Sequence, residues 1–373
     1  MDEPLIFKKF PALRDYVDWI SLGEFPTPVQ RMDGISKAEG LSDFYVKRDD
    51  LSSSIYGGNK VRKLEFLLAH AKEKGRDCLV TFGAAGSNHV VATVIHGGRL
   101  GIKTIAVMFA QPNAAYVRKN LLLDYVNGVG FSVAPTMGAL PAAFLRALRE
   151  GFDREKMKPP YIIPPGGSNA RGCLGYVNCA LELKQQIDEG LLPEPEFIFV
   201  TLGSSGTAAG MILGVEIAGL SSRVVPVRVV EKPVCNRTIL NFHVNNTRAF
   251  IMRRSPWTKI RKFRREDILL IDDFAGERYA QFTPEAVEAV RKARELDGLK
   301  LECTYTGKTL AGALDFIHRN GLEKRPSLFI NTYNSVDLYP AVSSQDYHVL
   351  PKELHHYFES PLQEEELGCE IVH

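Results

Sequence analysis

The sequence predicts an α/β fold in two lobes, each built on parallel strands covered by helices. Three observations carry this. Short and nearly unbroken apolar runs recur, among them Leu79-Val80-Thr81-Phe82-Gly83, Thr104 to Phe109 and Phe197 to Leu202. Continuous apolarity, as opposed to alternation, marks strands buried on both faces. Helical periodicity separates these runs, which is the crossover that parallel strands need. Finally, 373 residues suit two domains, or one large α/β unit carrying an inserted lobe.

In order, the strands are expected at 79–83, 104–109, 161–163, 197–202, 224–230 and 328–331. Helices are expected at 88–100 and 115–126, and from about residues 170 and 207. Thr283-Pro284-Glu285 reads as an N-cap, a Pro at the first helical position and an acid in the first turn. That helix should run to about Leu296 and stop at Gly298. The smaller lobe is expected at 61–170, the larger at 1–60 joined to 171–373.

Composition excludes several classes. A formal net charge of +2 gives no reason to expect nucleic acid or an anionic membrane as partner. No apolar run could span a bilayer, and residues 1–20 lack the apolar core of a secretory leader. The six cysteines form no C-x-x-C pair and no His-Cys spacing suited to a metal. A reducing, cytoplasmic setting and no metal are therefore expected. No G-x-G-x-x-G follows a strand. Gly307-Lys308-Thr309 lacks the Gly of a Walker loop, because Glu302 stands there. The basic segment 235–265 reads as a solvated excursion, with a binding surface, a lid or a subunit contact as alternatives.

The most informative stretch is Tyr56-Gly57-Gly58-Asn59-Lys60-Val61-Arg62-Lys63-Leu64-Glu65. Glycines and an Asn form a turn, and Lys60 follows where a helical pattern begins. A helix N-terminus and neighbouring cations both disfavour an ammonium ion. A lysine of ordinary pKa, about 10.4, must be lowered before it reacts with an aldehyde at neutral pH. The plain alternative is a surface lysine at a helix start.

Three Gly-rich junctions could grip an anion. Gly83-Ala84-Ala85-Gly86-Ser87-Asn88-His89 offers backbone N–H groups, a hydroxyl and an amide at a helix start, suited to a carboxylate; a simple N-cap by Ser87 competes. Gly203-Ser204-Ser205-Gly206-Thr207 has small residues and hydroxyls, suited to phosphate; a tight turn backed by small-residue packing competes. Pro165-Gly166-Gly167-Ser168-Asn169 reads as well as a structural turn. A reactive lysine, a phosphate cup and a carboxylate cup together suit a pyridoxal 5'-phosphate enzyme acting on an amino acid, with the cofactor as electron sink.

Lys47-Arg48-Asp49-Asp50-Leu51 followed by Gly57-Gly58-Asn59-Lys60-x-Arg62-Lys63-Leu64-Glu65 resembles the start of fold type II pyridoxal phosphate enzymes, whose architecture is that of the tryptophan synthase β chain. Gly86-Ser87-Asn88-His89, Pro165-Gly166-Gly167-Ser168-Asn169 and Thr304-Tyr305-Thr306-Gly307-Lys308-x-x-x-Gly312 resemble the aminocyclopropane-carboxylate deaminase and D-cysteine desulfhydrase family. The resemblance spans about residues 20–340. It implies that Lys60 holds the cofactor and moves protons, and that Asn88 bonds the cofactor's ring hydroxyl. It implies Ser87, with Asn88 and His89, at the substrate carboxylate, and Gly203, Ser204, Ser205, Gly206 and Thr207 at the phosphate. Tyr279 and Tyr305 match two active-site tyrosines; without the resemblance both read as half-buried packing residues. Thr306 and Thr332 fall beside the cofactor. A homodimer and a cofactor site between the lobes are further implications.

Within that family, true aminocyclopropane-carboxylate deaminases carry a Glu where Thr306 stands. A hydroxyl cannot supply that charge, so the weaker electron sink suits β-elimination from a small amino acid, releasing ammonia and a 2-oxo acid. Aminocyclopropane-carboxylate deamination is the alternative, as is racemisation or dehydration on the same fold. A non-catalytic amino-acid or pyridoxal phosphate binder is the alternative of another class, and the lysine argues against it. Thr332-Tyr333-Asn334 stands where many relatives have Thr-Gly-Gly, which leaves the substrate's identity open.

Overall fold

A computed structural model describes residues 3–364. The chain opens with α1 (Leu5–Lys9), β1 (Val29–Arg31), α2 (Asp33–Glu39), β2 (Phe44–Lys47) and α3 (Asn59–Glu73). Alternation follows: β3 (Cys78–Ala84), α4 (Asn88–Arg99), β4 (Lys103–Phe109), α5 (Ala115–Val126), β5 (Gly130–Ala134), α6 (Leu140–Glu150) and β6 (Tyr161–Ile163). The remainder holds α7 (Ala170–Asp188), β7 (Phe197–Leu202), α8 (Gly206–Ala218), β8 (Arg223–Arg228), α9 (Arg237–Arg254), α10 (Pro284–Asp297), α11 (Thr306–Arg319), β9 (Ser327–Ile330) and α12 (His356–Glu359).

Contacts divide the described chain into two units: residues up to Phe66 with Ser168–Ser335, and Leu67–Gly167 with the stretch from Val336 onward. The first unit holds a sheet of order β1-β2-β9-β7-β8, parallel except for β1 against β2. All six residues of β7 are buried, as expected of a central parallel strand. The second unit holds an all-parallel sheet of order β5-β4-β3-β6. Residues after 335 were expected with the larger lobe. The contacts of residues 336–364 place that stretch with residues 67–167: Arg118 donates to the Tyr357 carbonyl (2.8 Å) and Gln111 N–H to the Tyr357 hydroxyl (3.0 Å).

The helix expected from 283 is α10, capped by Thr283, whose hydroxyl accepts from Ala286 N–H, and ended by Gly298 at φ 63°. The segment 235–265 is not a plain excursion. It contains the 18-residue α9, capped by Asn236, which buries Leu240, Val244, Thr247 and Ile251 as one stripe. Part of its charge is paired, since Arg261 bonds both Glu216 and Asp267. Among the described residues no helix is long and apolar enough to cross a membrane. The described cysteines Cys78, Cys173, Cys179, Cys235 and Cys303 are free, and Cys369 lies outside the described residues.

Candidate active site

The turn before α3 is set by close approach. Gly58 has φ 94°, and a Cβ there would lie 2.7 Å from the Tyr333 carbonyl and 2.9 Å from that of Thr332. Only glycine meets both demands. Beneath the turn, Arg62 is locked to Asp49 (2.8 Å) and Glu182 (2.9 Å), and Glu182 also takes Lys47 (2.5 Å). All four side chains are buried, and Tyr176 donates to Asp49 (2.5 Å). This network fixes the first turn of α3, and with it the direction of Lys60.

The Lys60 amine donates to Asn59 Oδ1 (2.9 Å), and Asn59 Nδ2 donates to the Thr207 hydroxyl (2.9 Å). Asn59 N–H donates to the Thr332 carbonyl (3.2 Å). Asn59 thus ties the lysine to both the β7–α8 loop and the end of β9. The Lys60 pKa is lowered to about 7, first by burial and then by the Lys63 ammonium, with Glu302 pulling the other way. Burial is the larger cause, not the crowding of cations expected from sequence; Arg62 is already paired with acids.

The β7–α8 loop opens a 13-residue helix. Gly206 N–H donates to the Ser168 hydroxyl (3.1 Å), which donates to the Ser204 hydroxyl (2.8 Å). Ser205 sits at φ 71°, a strained value for a residue with a Cβ, and its hydroxyl lies 2.8 Å from the Cys235 thiol. A Cβ on Gly206 would fall 2.9 Å from the Lys63 amine. Lys63 is buried, and burial lowers its pKa to about 8. Backbone N–H groups, a helix N-terminus, hydroxyls and a buried amine therefore converge on one small cup. The ring of Tyr305 borders it, 3.7 Å from where a Gly203 Cβ would be.

Tyr305 immediately precedes α11, and its hydroxyl is bonded to that of Tyr279. Burial and Tyr305 raise the Tyr279 pKa well above 10. Tyr279 N–H donates to Glu231 (2.6 Å). The start of α11 is organised by a buried acid, Glu302. Its carboxylate accepts from the N–H groups of Thr304 (2.8 Å), Tyr305 (2.9 Å) and Thr306 (2.7 Å). Thr306 is fully buried; its hydroxyl donates to Glu302 (3.1 Å) and accepts from Glu302 N–H (2.9 Å). The Thr332 hydroxyl lies 3.4 Å from that of Thr201.

In the second unit, Ser87 caps α4, its hydroxyl accepting from Val90 N–H (3.4 Å). Asn88 Oδ1 accepts from Asn120 (2.9 Å), which also donates to the Gly86 carbonyl (2.9 Å). Gly86 N–H donates to Gln111 (2.9 Å). These bonds hold Ser87 and Asn88 in a fixed turn. The His89 ring is buried, with Nε2 3.0 Å from the Thr81 hydroxyl.

Lys60, Thr207, Gly203, Tyr305 and Tyr279 are thus linked within one unit, while Ser87 and Asn88 belong to the other. Sequence reasoning gave Lys63, Ser168 and Glu302 no part in holding a cofactor: Lys63 counted only as a cation beside Lys60, and Glu302 only as the residue that rules out a Walker loop. Burial sets the two charges apart. Ser168 lay in a junction read as a turn. The donor set fits pyridoxal phosphate: an amine that is neutral for much of its time at pH 7, beside a cup whose partners suit a phosphate.

A family model described as pyridoxal-phosphate dependent enzyme matches residues 20–332. D-cysteine desulfhydrase of Klebsiella pneumoniae subsp. pneumoniae is 32% identical over 315 residues, covering 82% of this chain and 91% of that protein. A crystal structure of an ACC deaminase homologue is 31% identical with a TM-score of 0.74, over 87% of this chain and 94% of its own. Maize serine racemase, at 17% identity and a TM-score of 0.58, covers 92% of this chain and 96% of its own, and shares the fold.

Proposed function

The chain belongs to the pyridoxal-phosphate dependent enzymes of fold type II, and from that premise we propose that it eliminates a leaving group from Cβ of a small amino acid, releasing ammonia and a 2-oxo acid, in the manner of a D-cysteine desulfhydrase. The observation that carries the proposal is the half-buried Lys60 side chain, its amine lowered to about pKa 7 and linked through Asn59 to the phosphate-suited loop. A protein that merely bound amino acids would not need a lysine there with its pKa lowered in this way.

When bound, the cofactor supplies an electron sink for the carbanion left when the amino acid's Cα loses its proton. Lys60 holds the cofactor and, as a neutral amine, takes that Cα proton. Lys63, Ser168, Ser204 and the N–H groups of residues 204–207 hold the phosphate. Ser87 holds the substrate carboxylate, and Asn88, its Oδ1 oriented by Asn120, serves the cofactor's ring hydroxyl. Tyr279 and Tyr305 face the leaving group. A phenol whose pKa is raised above 10 keeps its proton at neutral pH. It is therefore a donor to the departing sulfur or oxygen and a poor base.

Thr306 favours this reading over aminocyclopropane-carboxylate ring opening, because it brings no carboxylate. Glu302 does not take the missing acid's place, since its oxygens are engaged by three backbone N–H groups and the Thr306 hydroxyl. Work in a reducing compartment such as the cytoplasm is part of the same reading, supported by the free thiols. The test is a panel of D- and L-cysteine, β-chloroalanine, serine and aminocyclopropane carboxylate, scored for 2-oxo acid. Release from cysteine or β-chloroalanine is expected, with loss of at least about 10³-fold in Lys60→Ala. Fast turnover of the cyclopropane with none of the others would reverse the assignment.

A further inference from the structure

Lys308 stands in the Tyr305-Thr306-Gly307-Lys308 segment without a task in the reading above. Its side chain is fully buried in the first turn of α11. Both circumstances are unfavourable for a cation: burial removes its hydration, and the helix dipole repels positive charge there. Its bond goes to a neutral acceptor, the Ala275 carbonyl, at 2.6 Å. Burial lowers its pKa to about 8, with Glu302, Cys303 and Glu231 opposing; charged or neutral, the amine keeps an N–H to donate. A methionine would fill the same space without the desolvation cost. What lysine adds is the donor.

The acceptor's position gives that donor a purpose. Ala275 lies four residues before Tyr279. Between them Gly276 turns the chain at φ 75°, its Cβ position 3.5 Å from the Lys308 amine. At the other end Tyr279 N–H is held by Glu231 (2.6 Å), and Ala280 is strained at φ 59°. The segment 275–280 has no helix or strand of its own. Among its ties are one to α11 through Lys308 and one to Glu231, and Tyr305 stands just before that same α11. We infer that Lys308 is a positioning residue: it ties residues 275–280 to the helix that follows Tyr305, so that the Tyr279 phenol meets the Tyr305 phenol. This rests on the tyrosine roles proposed above only for its effect on turnover, not for the tie itself.

The experiment compares holoenzyme of wild type, Lys308→Met, Tyr279→Phe and the double variant. Amide hydrogen exchange over residues 276–281 reads the tie; kcat and KM for the best substrate of the panel read its use. In Lys308→Met, exchange over 276–281 should quicken about tenfold, the effect of one lost hydrogen bond. Amides of β7 and α8 should keep their rates, and borohydride should trap the cofactor on Lys60 as in wild type. The loss should fall on kcat with KM little changed, and Lys308→Met should add nothing in the Tyr279→Phe background. If Lys308→Met does not fold, Lys308→Gln, a shorter neutral donor, should show the same local quickening. Unchanged exchange over 276–281 in the folded variant would overturn the tie whatever the turnover. Multiplying losses in the double variant would overturn its action through Tyr279.

Discussion

At Lys60 the amine is held well below the ordinary lysine pKa because protein replaces much of the water around it. Burial dominates, and the Lys63 ammonium adds to it. The lowered pKa means the neutral form prevails above about pH 7, where a solvated lysine would still be charged. Competitive acetylation of the apoenzyme, mapped by mass spectrometry, should show Lys60 labelling rise with pH to a midpoint near 7, while surface lysines rise near 10.4. A Lys60 midpoint near 10 would remove the physical basis of the assignment. The sequence marked this residue through the glycines before it. It did not mark Glu302 or Lys63 as buried, because a charged side chain reads as solvated until packing shows otherwise.

At the scale of elements, chemistry gathers where a strand ends and a helix begins, as parallel sheets require. The β7–α8 junction was legible from Gly203-Ser204-Ser205-Gly206 alone. Its support from Ser168, just before α7, was not, since the residues are far apart in sequence. Ser168→Ala removes the acceptor of Gly206 N–H and the donor to Ser204. Cofactor affinity should weaken about tenfold, from one to two kcal/mol of lost bonding, by equilibrium dialysis. An unchanged dissociation constant would show that Ser168 does not shape the cup. Strands β3, β4 and β7 were readable as continuous apolar runs. Strand β2 was hidden by its brevity and the charged Lys47-Arg48-Asp49-Asp50 beside it. Helix α9 was hidden because its buried stripe includes Thr247 and its other faces are polar.

For the whole molecule, the buried Lys47–Glu182–Arg62–Asp49 network ties β2, α3 and α7 together beneath the turn that carries Lys60. The two cations lower the Glu182 pKa from 4.5 to about 2, against the effect of burial. A carboxylate depressed in the folded state stabilises it above the unfolded pKa, near 4.5, and that stabilisation is lost as pH falls from there through about 2. Glu182→Gln leaves two buried cations short of a partner. It should destabilise the fold by about 3–5 kcal/mol at pH 7 in urea unfolding. The gap from wild type should narrow as the pH is lowered through the same window. A difference under about 1 kcal/mol at pH 7 would mean the pair is replaceable by neutral bonding.

The sequence by itself determined the strands β3, β4, β6, β7, β8 and β9 with helices α4, α5, α7, α8 and α10, and the places of the lysine and the glycine-rich loops, because backbone conformation and continuous apolarity are local properties. Which charges are buried, which hydroxyl braces which loop, and where the stretch after residue 335 packs were decided by tertiary structure. Those depend on residues brought together from distant parts of the chain, and removal from water is a property of the assembled fold, not of any segment.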